Sequence, residues 1–366
     1  MKVLISGGGT GGHVFPAIAI ADAIKKAMPG ADFLFVGAMG KLEMEKVTKA
    51  GYSIEGLWIS GFQRKLTVRN LLVPFKLAAS LIKARRLVRR FTPDVAVGVG
   101  GYASGPTLEM ACRMGVPALI QEQNSYAGVT NRLLGSKVSK VCVAFEGMER
   151  YFPAEKIVFT GNPVRDAIRS SHASREEGIA HFQLDAGKRT ILVFGGSLGA
   201  RSMNEAMALQ TELLAKTPDV QVIWQSGSLY IDRFRDCDTA KLTNVKIMPF
   251  IDRMDLAYAA ADAIVGRAGA ITISELCLVG KPVVLIPSPN VAEDHQTKNA
   301  MALVEKNAAV LVKDGEAGES IIRKPLEILK DRNWAESLGK NILLLARPNA
   351  AEDIAKQVII LANLKV

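Results

Sequence analysis

Short apolar, β-branched runs alternate with stretches of helical spacing along the whole 366-residue chain. In the first half the runs fall at Val3–Ser6, Asp32–Val36, Val95–Val99, Ala118–Gln121, Val141–Ala144 and Ile157–Thr160. In the second they fall at Thr190–Phe194, Gln221–Gln225, Lys246–Pro249, Ala263–Val265, Val283–Ile286 and Ala309–Val312. Strand and helix patterns in alternation predict an α/β fold, with mostly parallel sheets covered by helices on both faces. The pattern restarts after the polar stretch Ser170–Gly187, where TILVFGGSLGA (Thr190–Ala200) repeats the opening device of strand, glycine turn and helix. Two Rossmann-type halves are therefore expected, with the crossover between Gly161 and Arg165 and a final helix at Ala350–Leu364 after Pro348. The length also favours two domains over one.

The opening device reads MKVLISGGGTGGH, a strand that stops in Gly7, Gly8, Gly9, Gly11 and Gly12. A turn without Cβ atoms lets backbone N–H groups close on an anion, and the helix that follows tolerates Pro16 in its first turn. His13 stands within this turn, titratable near neutrality and placed where a phosphate or sugar would lie. Gly7, Gly9 and Gly12 satisfy G-x-G-x-x-G, but a dinucleotide site also wants an acid at the end of the second strand. That strand ends in Gly37, Ala38 and Met39, and Asp32 stands at its other end, which argues against a dinucleotide.

Composition narrows the setting. No segment has the roughly 18 uncharged apolar residues of a membrane span, and the N-terminus lacks the pattern of a signal peptide. Cys112, Cys142, Cys237 and Cys277 show no metal or redox spacing, as expected of reduced thiols in a cytoplasmic protein. The net charge of +10 is unevenly spread. Between Glu55 and Asp94 there is no acid, yet Arg64, Lys65, Arg69, Lys76, Lys83, Arg85, Arg86, Arg89 and Arg90 crowd the segment. Leu77, Leu81, Ala84 and Val88 would face inward on one helix, leaving Leu72, Phe75, Ala79 and Ile82 as a spare apolar face. A basic helix with such a face suits an anionic membrane surface, while the lack of a binding motif argues against nucleic acid.

Further along, GRAGAITISE (Gly266–Glu275) places a helix start after a strand, where N–H groups, the helix dipole and Arg267 would meet a diphosphate. Glu275 can accept two hydrogen bonds from a ribose diol. DHQTKN (Asp294–Asn299) offers Gln296 and Asn299 to sugar hydroxyls. QEQN (Gln121–Asn124) follows a buried strand, with Glu122 a candidate general base. GGYASGP (Gly100–Pro106) is another glycine turn, and in GNPVR (Gly161–Arg165) the last residue can reach a phosphate. Asp236-Cys237-Asp238 matches an Asp-x-Asp metal motif only formally, and no His/Cys cluster or serine nucleophile elbow occurs.

Taken in order, GGGTGGHVFPA, GGYASGP, QEQN, GNPVR, GGSLGAR, GRAGAITISE and DHQTKNA resemble the MurG family from end to end. These are the UDP-N-acetylglucosamine transferases that complete the peptidoglycan precursor lipid II. The resemblance implies a GT-B fold of two Rossmann-like domains facing across a cleft. Residues 1–163 would form the acceptor and membrane-binding domain, with a C-terminal helix (348–366) docking back, and residues 164–347 the UDP-GlcNAc domain. It implies an inverting transfer of GlcNAc from UDP-GlcNAc to the 4-hydroxyl of the muramyl sugar of lipid I. No cofactor or metal is called for. The enzyme would lie peripherally on the cytoplasmic face of the inner membrane, held through segment 64–90, with other cell-wall synthesis proteins as further partners. Carried over residue by residue, the donor site falls on Thr10, Gly11, Gly12, Asn124, Arg165, Ser197, Ile251, Ala270, Ile271, Thr272, Ile273, Ser274, Glu275 and Gln296. Ile251 would line the uracil pocket, Glu275 hold the ribose, and Ala270 to Ser274 cap the diphosphate. His13 is the first choice as base and Glu122 the second. Two departures stand out. The family often has His where this chain has Gln121, and its Gly-Ser-Gln-Gly turn reads Gly196-Ser197-Leu198-Gly199 here. Other readings that share these features are a lipid glycosyltransferase acting on diacylglycerol, a UDP-GlcNAc epimerase, or a non-catalytic nucleotide-sugar sensor.

Overall fold

A computed structural model of the chain describes residues 1–61 and 72–363. It divides into two compact units, Met1–Val164 together with the chain from Arg347 onward, and Arg165–Ala346.

Among the described residues the first unit holds seven parallel strands. They are β1 (Lys2–Ser6), β2 (Asp32–Ala38), β3 (Ser53–Leu57), β4 (Val95–Gly98), β5 (Ala118–Glu122), β6 (Lys140–Val143) and β7 (Ile157–Phe159), in the order β3-β2-β1-β4-β5-β6-β7. β1 pairs with both β2 and β4, Leu4 opposite Leu34 on one side and Ala96 on the other. Alternate residues of each strand feed two cores. Val3, Ile5, Val95 and Val97 face the helices Gly11–Ala27 and Ala350–Asn363, while Leu4, Ala96, Leu119's neighbour Ile120 and Val141 face Leu87, Val88 and Leu108. Ile354, Ala355, Val358 and Leu361 of the C-terminal helix are buried in the first of these cores.

The second unit repeats the plan with β8 (Arg189–Phe194), β9 (Val220–Gln225), β10 (Val245–Met248), β11 (Ala263–Gly266), β12 (Val283–Leu285) and β13 (Val310–Leu311), ordered β10-β9-β8-β11-β12-β13. In both sheets the strand order reverses beside the first strand, between β1 and β4 and between β8 and β11. Loops at the carboxyl ends of strands flanking such a reversal diverge and leave room for a ligand. The glycine turns lie there: Gly7–Gly12 after β1, Gly100–Gly101 after β4, Gly195–Gly199 after β8 and Gly266–Gly269 after β11.

Two expectations from the pattern need correction. The pattern does not predict β3, because Ser53–Leu57 (SIEGL) interrupts its apolar residues with Glu55 and Gly56. It is an edge strand and is buried less uniformly than the central ones; Glu55 instead pairs with Lys83 at 3.2 Å and Arg90 at 2.7 Å. In the helix Val73–Phe91 the inward residues are Ser80, Ala84, Leu87 and Val88, and Leu77 is 43% exposed. Burial along this helix begins only at Ser80, so Leu77 joins the exposed set rather than the core. Arg64, Lys65 and Arg69 lie outside the described residues.

Candidate active site

In the first unit the turn after β1 is shaped by what surrounds it. A Cβ on Gly101 would lie 2.3 Å from the Gly8 carbonyl oxygen, so the turns after β1 and β4 interlock backbone to backbone. Thr10 is extended (φ −144°), and its carbonyl accepts the N–H groups of His13 and Val14 at 3.1 Å, which starts the helix Gly11–Ala27. Its hydroxyl does not cap that helix but lies 3.2 Å from His13 Nδ1. In the tautomer with the proton on Nδ1, that nitrogen donates to Thr10 Oγ1 and leaves Nε2 with a lone pair. His13 is half-buried, its ring beside Gly100, where a Cβ would lie 3.0 Å from Nε2.

The turn is less open to anions than its five glycines suggested. The Gly9 N–H is already given to the buried Glu43 carboxylate at 2.9 Å. Nothing in the sequence singled out Glu43; the acid sought at the end of β2 arrives from the next helix and points at the turn.

Glu122 is likewise corrected. It is 2% exposed, and its oxygens accept from Asn124 N at 3.1 Å, Gly128 N at 3.0 Å and Asn131 Nδ2 at 2.9 Å. Burial pushes its carboxyl above the usual range, and these hydrogen bonds pull against that shift. A carboxylate so enclosed holds the loop between β5 and the helix Val129–Gly135; it is not presented to a substrate hydroxyl. Gln121 and Gln123 are buried too and tie to Asn162, at 2.8 Å from Gln121 Nε2 and 3.0 Å to the Gln123 carbonyl. Of the QEQN run only Asn124 reaches partial exposure.

In the second unit a cavity of about 500 Å³ opens between the turns after β8 and β11. Gly196, Arg201, Gly269, Thr272, Ser288 and Gln296 line it. Ser197 is exposed on the same glycine turn. Ile251 is buried, and its N–H donates to Gln225 Oε1 at 3.0 Å while Gln225 Nε2 donates to the Gly196 carbonyl at 2.9 Å. One glutamine thereby fixes the Ile251 loop to the turn. Gln296 accepts the Ser288 N–H at 2.8 Å. Arg267 does not stand ready for a diphosphate: it is bound to Asp314, Ser202 and the carbonyls of Ile286 and Pro287 and braces the cavity wall.

The helix Ala270–Val279 begins at Gly269, whose carbonyl accepts the Ile273 N–H at 2.9 Å. Only the N–H groups of Gly269 to Thr272 precede that first helical bond. Ile273 is buried, and the Ser274 hydroxyl donates to the Ala270 carbonyl at 3.0 Å. From Ile273 onward the amides are spent within the helix, so Ile273 and Ser274 have no backbone donor for the diphosphate expected there.

Glu275, one turn further, is 4% exposed and meets Arg165 in a fork, Nε to Oε1 at 2.7 Å and Nη2 to Oε2 at 3.0 Å. The buried Tyr258 hydroxyl donates to Oε2 at 3.3 Å. Burial and the Glu275 charge push the Tyr258 phenol well above its usual range, and the same carboxylate raises Arg165. Arg165 and Glu275, assigned separately to phosphate and ribose, are thus partners of each other.

Residues 3–143 match the glycosyltransferase family 28 N-terminal domain and residues 190–358 the glycosyltransferase family 28 C-terminal domain. A Bacteroides fragilis protein named UDP-N-acetylglucosamine--N-acetylmuramyl-(pentapeptide) pyrophosphoryl-undecaprenol N-acetylglucosamine transferase is 54% identical over 365 residues, 99% of this chain and 96% of the relative. The chain belongs to the MurG family. The crystal structure of Acinetobacter baumannii MurG superposes with a TM-score of 0.81 at 28% identity, covering 98% of this chain and 99% of that one. The fold alone is shared more widely. A UDP-GlcNAc 2-epimerase from Neisseria meningitidis reaches a TM-score of 0.68 at 15% identity, with full coverage of both chains at 100%. Membership in the MurG family makes the chain a UDP-sugar glycosyltransferase built from two Rossmann-like domains.

Beyond the family's positions, sequence reasoning missed Glu43, Tyr258 and Asn131. Each is a single polar residue inside an ordinary helix pattern, and its partner is distant in sequence or belongs to the backbone. An acid in the first turn of the helix after β2 was visible, but Glu43 and Glu45 were indistinguishable without knowing which faces inward.

Proposed function

We propose that this chain transfers GlcNAc from UDP-GlcNAc to the 4-hydroxyl of the muramyl sugar in undecaprenyl-diphospho-MurNAc-pentapeptide (lipid I), giving lipid II. The observation that carries this is the near-full-length identity to relatives named as that transferase. The two sites described above supply the chemistry.

The donor is held by the second unit. Its uracil lies against Ile251, its ribose on Glu275, its diphosphate at the N–H groups of Ala270 to Thr272, and its sugar near Ser197 and Gln296. The ribose diol competes with Arg165 for Glu275 and turns that guanidinium toward the leaving diphosphate. A helix N-terminus and a cation aimed at developing negative charge stabilise the transition state more than the ground state. The acceptor hydroxyl is deprotonated by His13 Nε2, with Nδ1–H donating to Thr10 Oγ1, and attacks the anomeric carbon from the face opposite UDP. Gly11 and Gly12 offer N–H groups to the substrates at the helix start, and Asn124 adds a side-chain amide.

The acceptor is a membrane lipid, and the helix Val73–Phe91 provides the contact. Phe75 is 70% and Ile82 55% exposed, and at 3.6 residues per turn they share a face with Arg86 and Arg89. Among the described residues Arg85, Arg86 and Arg89 have no acidic partner, in contrast to Lys83 and Arg90 on Glu55. Among the same residues no helix is long and apolar enough to cross a membrane. Peripheral adsorption to the anionic cytoplasmic leaflet fits this face.

Incubation with labelled UDP-GlcNAc and either a lipid I analogue or diacylglycerol tests the reading. Labelled disaccharide lipid is the expected product. A labelled glycosyl-diacylglycerol, an isomerised donor, or binding without turnover would replace it by a different lipid transferase, an epimerase or a sensor.

A further inference from the structure

Glu43 opens the helix Leu42–Lys49 after β2 and is 1% exposed, yet the mechanism above leaves it no task. Its Oε2 accepts the Gly9 N–H at 2.9 Å and its Oε1 the Ala38 N–H at 2.9 Å. One carboxylate therefore joins the end of β2 to the middle of the first glycine turn. Two glycines clear the space it fills: a Cβ on Gly8 would lie 2.1 Å from Oε1, and one on Gly37 2.5 Å from Glu43 Cγ.

A buried carboxylate is strongly unfavourable unless donors meet both oxygens. Here both are met, and both donors belong to the backbone, so the charge holds two main-chain segments at a fixed separation. The hydrogen bonds are charge-assisted, the stronger and more directional kind. On its other side the turn is in contact with Gly101 through the Gly8 carbonyl. Gripped from both sides, Gly8 and Gly9 have little freedom, and the helix that carries His13 begins two residues later, at Gly11.

We propose that Glu43 is a positioning residue for the transfer reaction. By clamping Gly9 to Ala38 it sets where the helix Gly11–Ala27 starts, and so where His13 Nε2 stands beside Gly100. The role rests on the reading of the chain as a lipid I transferase with His13 as base. It does not extend to the donor contacts around the second unit's cavity, which Glu43 does not touch.

The test uses E43Q in the full chain. Glutamine keeps the volume and one acceptor oxygen, but turns an NH₂ group toward one of the two backbone donors. Transfer to the lipid I analogue is measured for wild type, E43Q, H13A and the double variant, with thermal melting of each. Displacing a reacting group by a fraction of an ångström to an ångström should lower kcat at least about tenfold and raise donor KM by a smaller factor, since Thr10, Gly11 and Gly12 are the donor contacts at this helix start. In the H13A background E43Q should cost nothing further, because its effect runs through the imidazole. A merely structural role would lower the melting temperature without that coupling. The proposal is overturned if E43Q matches wild type, if donor KM rises by as large a factor as kcat falls, or if its loss adds in full to that of H13A. Should wild type make no disaccharide lipid, the functional reading itself fails, which is a separate result.

Discussion

Replacing Glu275 with alanine probes the donor site where the structure is most specific. The carboxylate is buried and holds three donors, two from Arg165 and one from Tyr258. Two ribose hydroxyls arriving there exchange with the Arg165 fork rather than adding to it. The Arg165 side chain is 53% exposed, so that pair is discounted by solvent screening and is worth at most about 1 kcal/mol. Hydrogen bonds to a charged acceptor contribute about 1.5–3 kcal/mol each, part of which the exchange returns. One such bond is a fair net loss, equivalent to a roughly ten- to hundredfold rise in donor KM. The variant also leaves the Tyr258 hydroxyl buried without that acceptor, a stability cost of about 1–3 kcal/mol. E275Q separates the two effects, since its amide oxygen still accepts from Tyr258 while its NH₂ faces Arg165. Donor saturation curves at fixed lipid I analogue, run below each variant's melting transition, give the comparison. Unchanged donor KM in both E275A and E275Q would refute the ribose assignment.

R165A should lower kcat more than it raises donor KM, because it frees Glu275 for the ribose while removing charge from the leaving diphosphate; a raised donor KM with unchanged kcat would place Arg165 in uniform binding only. H13A should lose about a hundredfold or more in kcat, within the usual contribution of general base catalysis. E122A should instead lose thermal stability, as Gly128 N and Asn131 Nδ2 forfeit their acceptor; normal turnover in H13A with loss in a folded E122A would reverse the two roles. F75E/I82E should weaken sedimentation with anionic vesicles and leave UDP binding intact, and equal vesicle binding by wild type and variant would reject the membrane face.

The alternation of apolar runs was enough to locate twelve strands, since strands buried on both faces of a parallel sheet are apolar almost throughout. β3 escaped because an edge strand carries Glu55 and Gly56 without penalty. The glycine turns were legible for a similar reason: close backbone approach tolerates no side chain, so clustered glycines after a strand announce themselves. What each turn does was not legible. Five glycines promised an open anion site, and the structure fills one of its N–H groups with Glu43. Glu122 reads as a candidate base at a strand end, and it is a buried fastener of its loop. Arg267 read as a charge for the diphosphate, and Asp314 already holds it.

By itself, then, the order of residues determined the two parallel sheets, the positions of the turns after β1, β4, β8 and β11, and through its motifs the family. These are properties of local pattern, in which neighbours along the chain or one helix turn away carry the signal. The tertiary structure alone decided which donors each carboxylate meets. Glu43 lies in the first turn of a helix, Glu122 ends a strand and Glu275 lies within a helix. Their tasks differ because Gly9 and Ala38 meet the first, Asn124, Gly128 and Asn131 the second, and Arg165 with Tyr258 the third. The free energy of a buried charge is set by the donors around it, and those donors come from chain segments that only folding brings together.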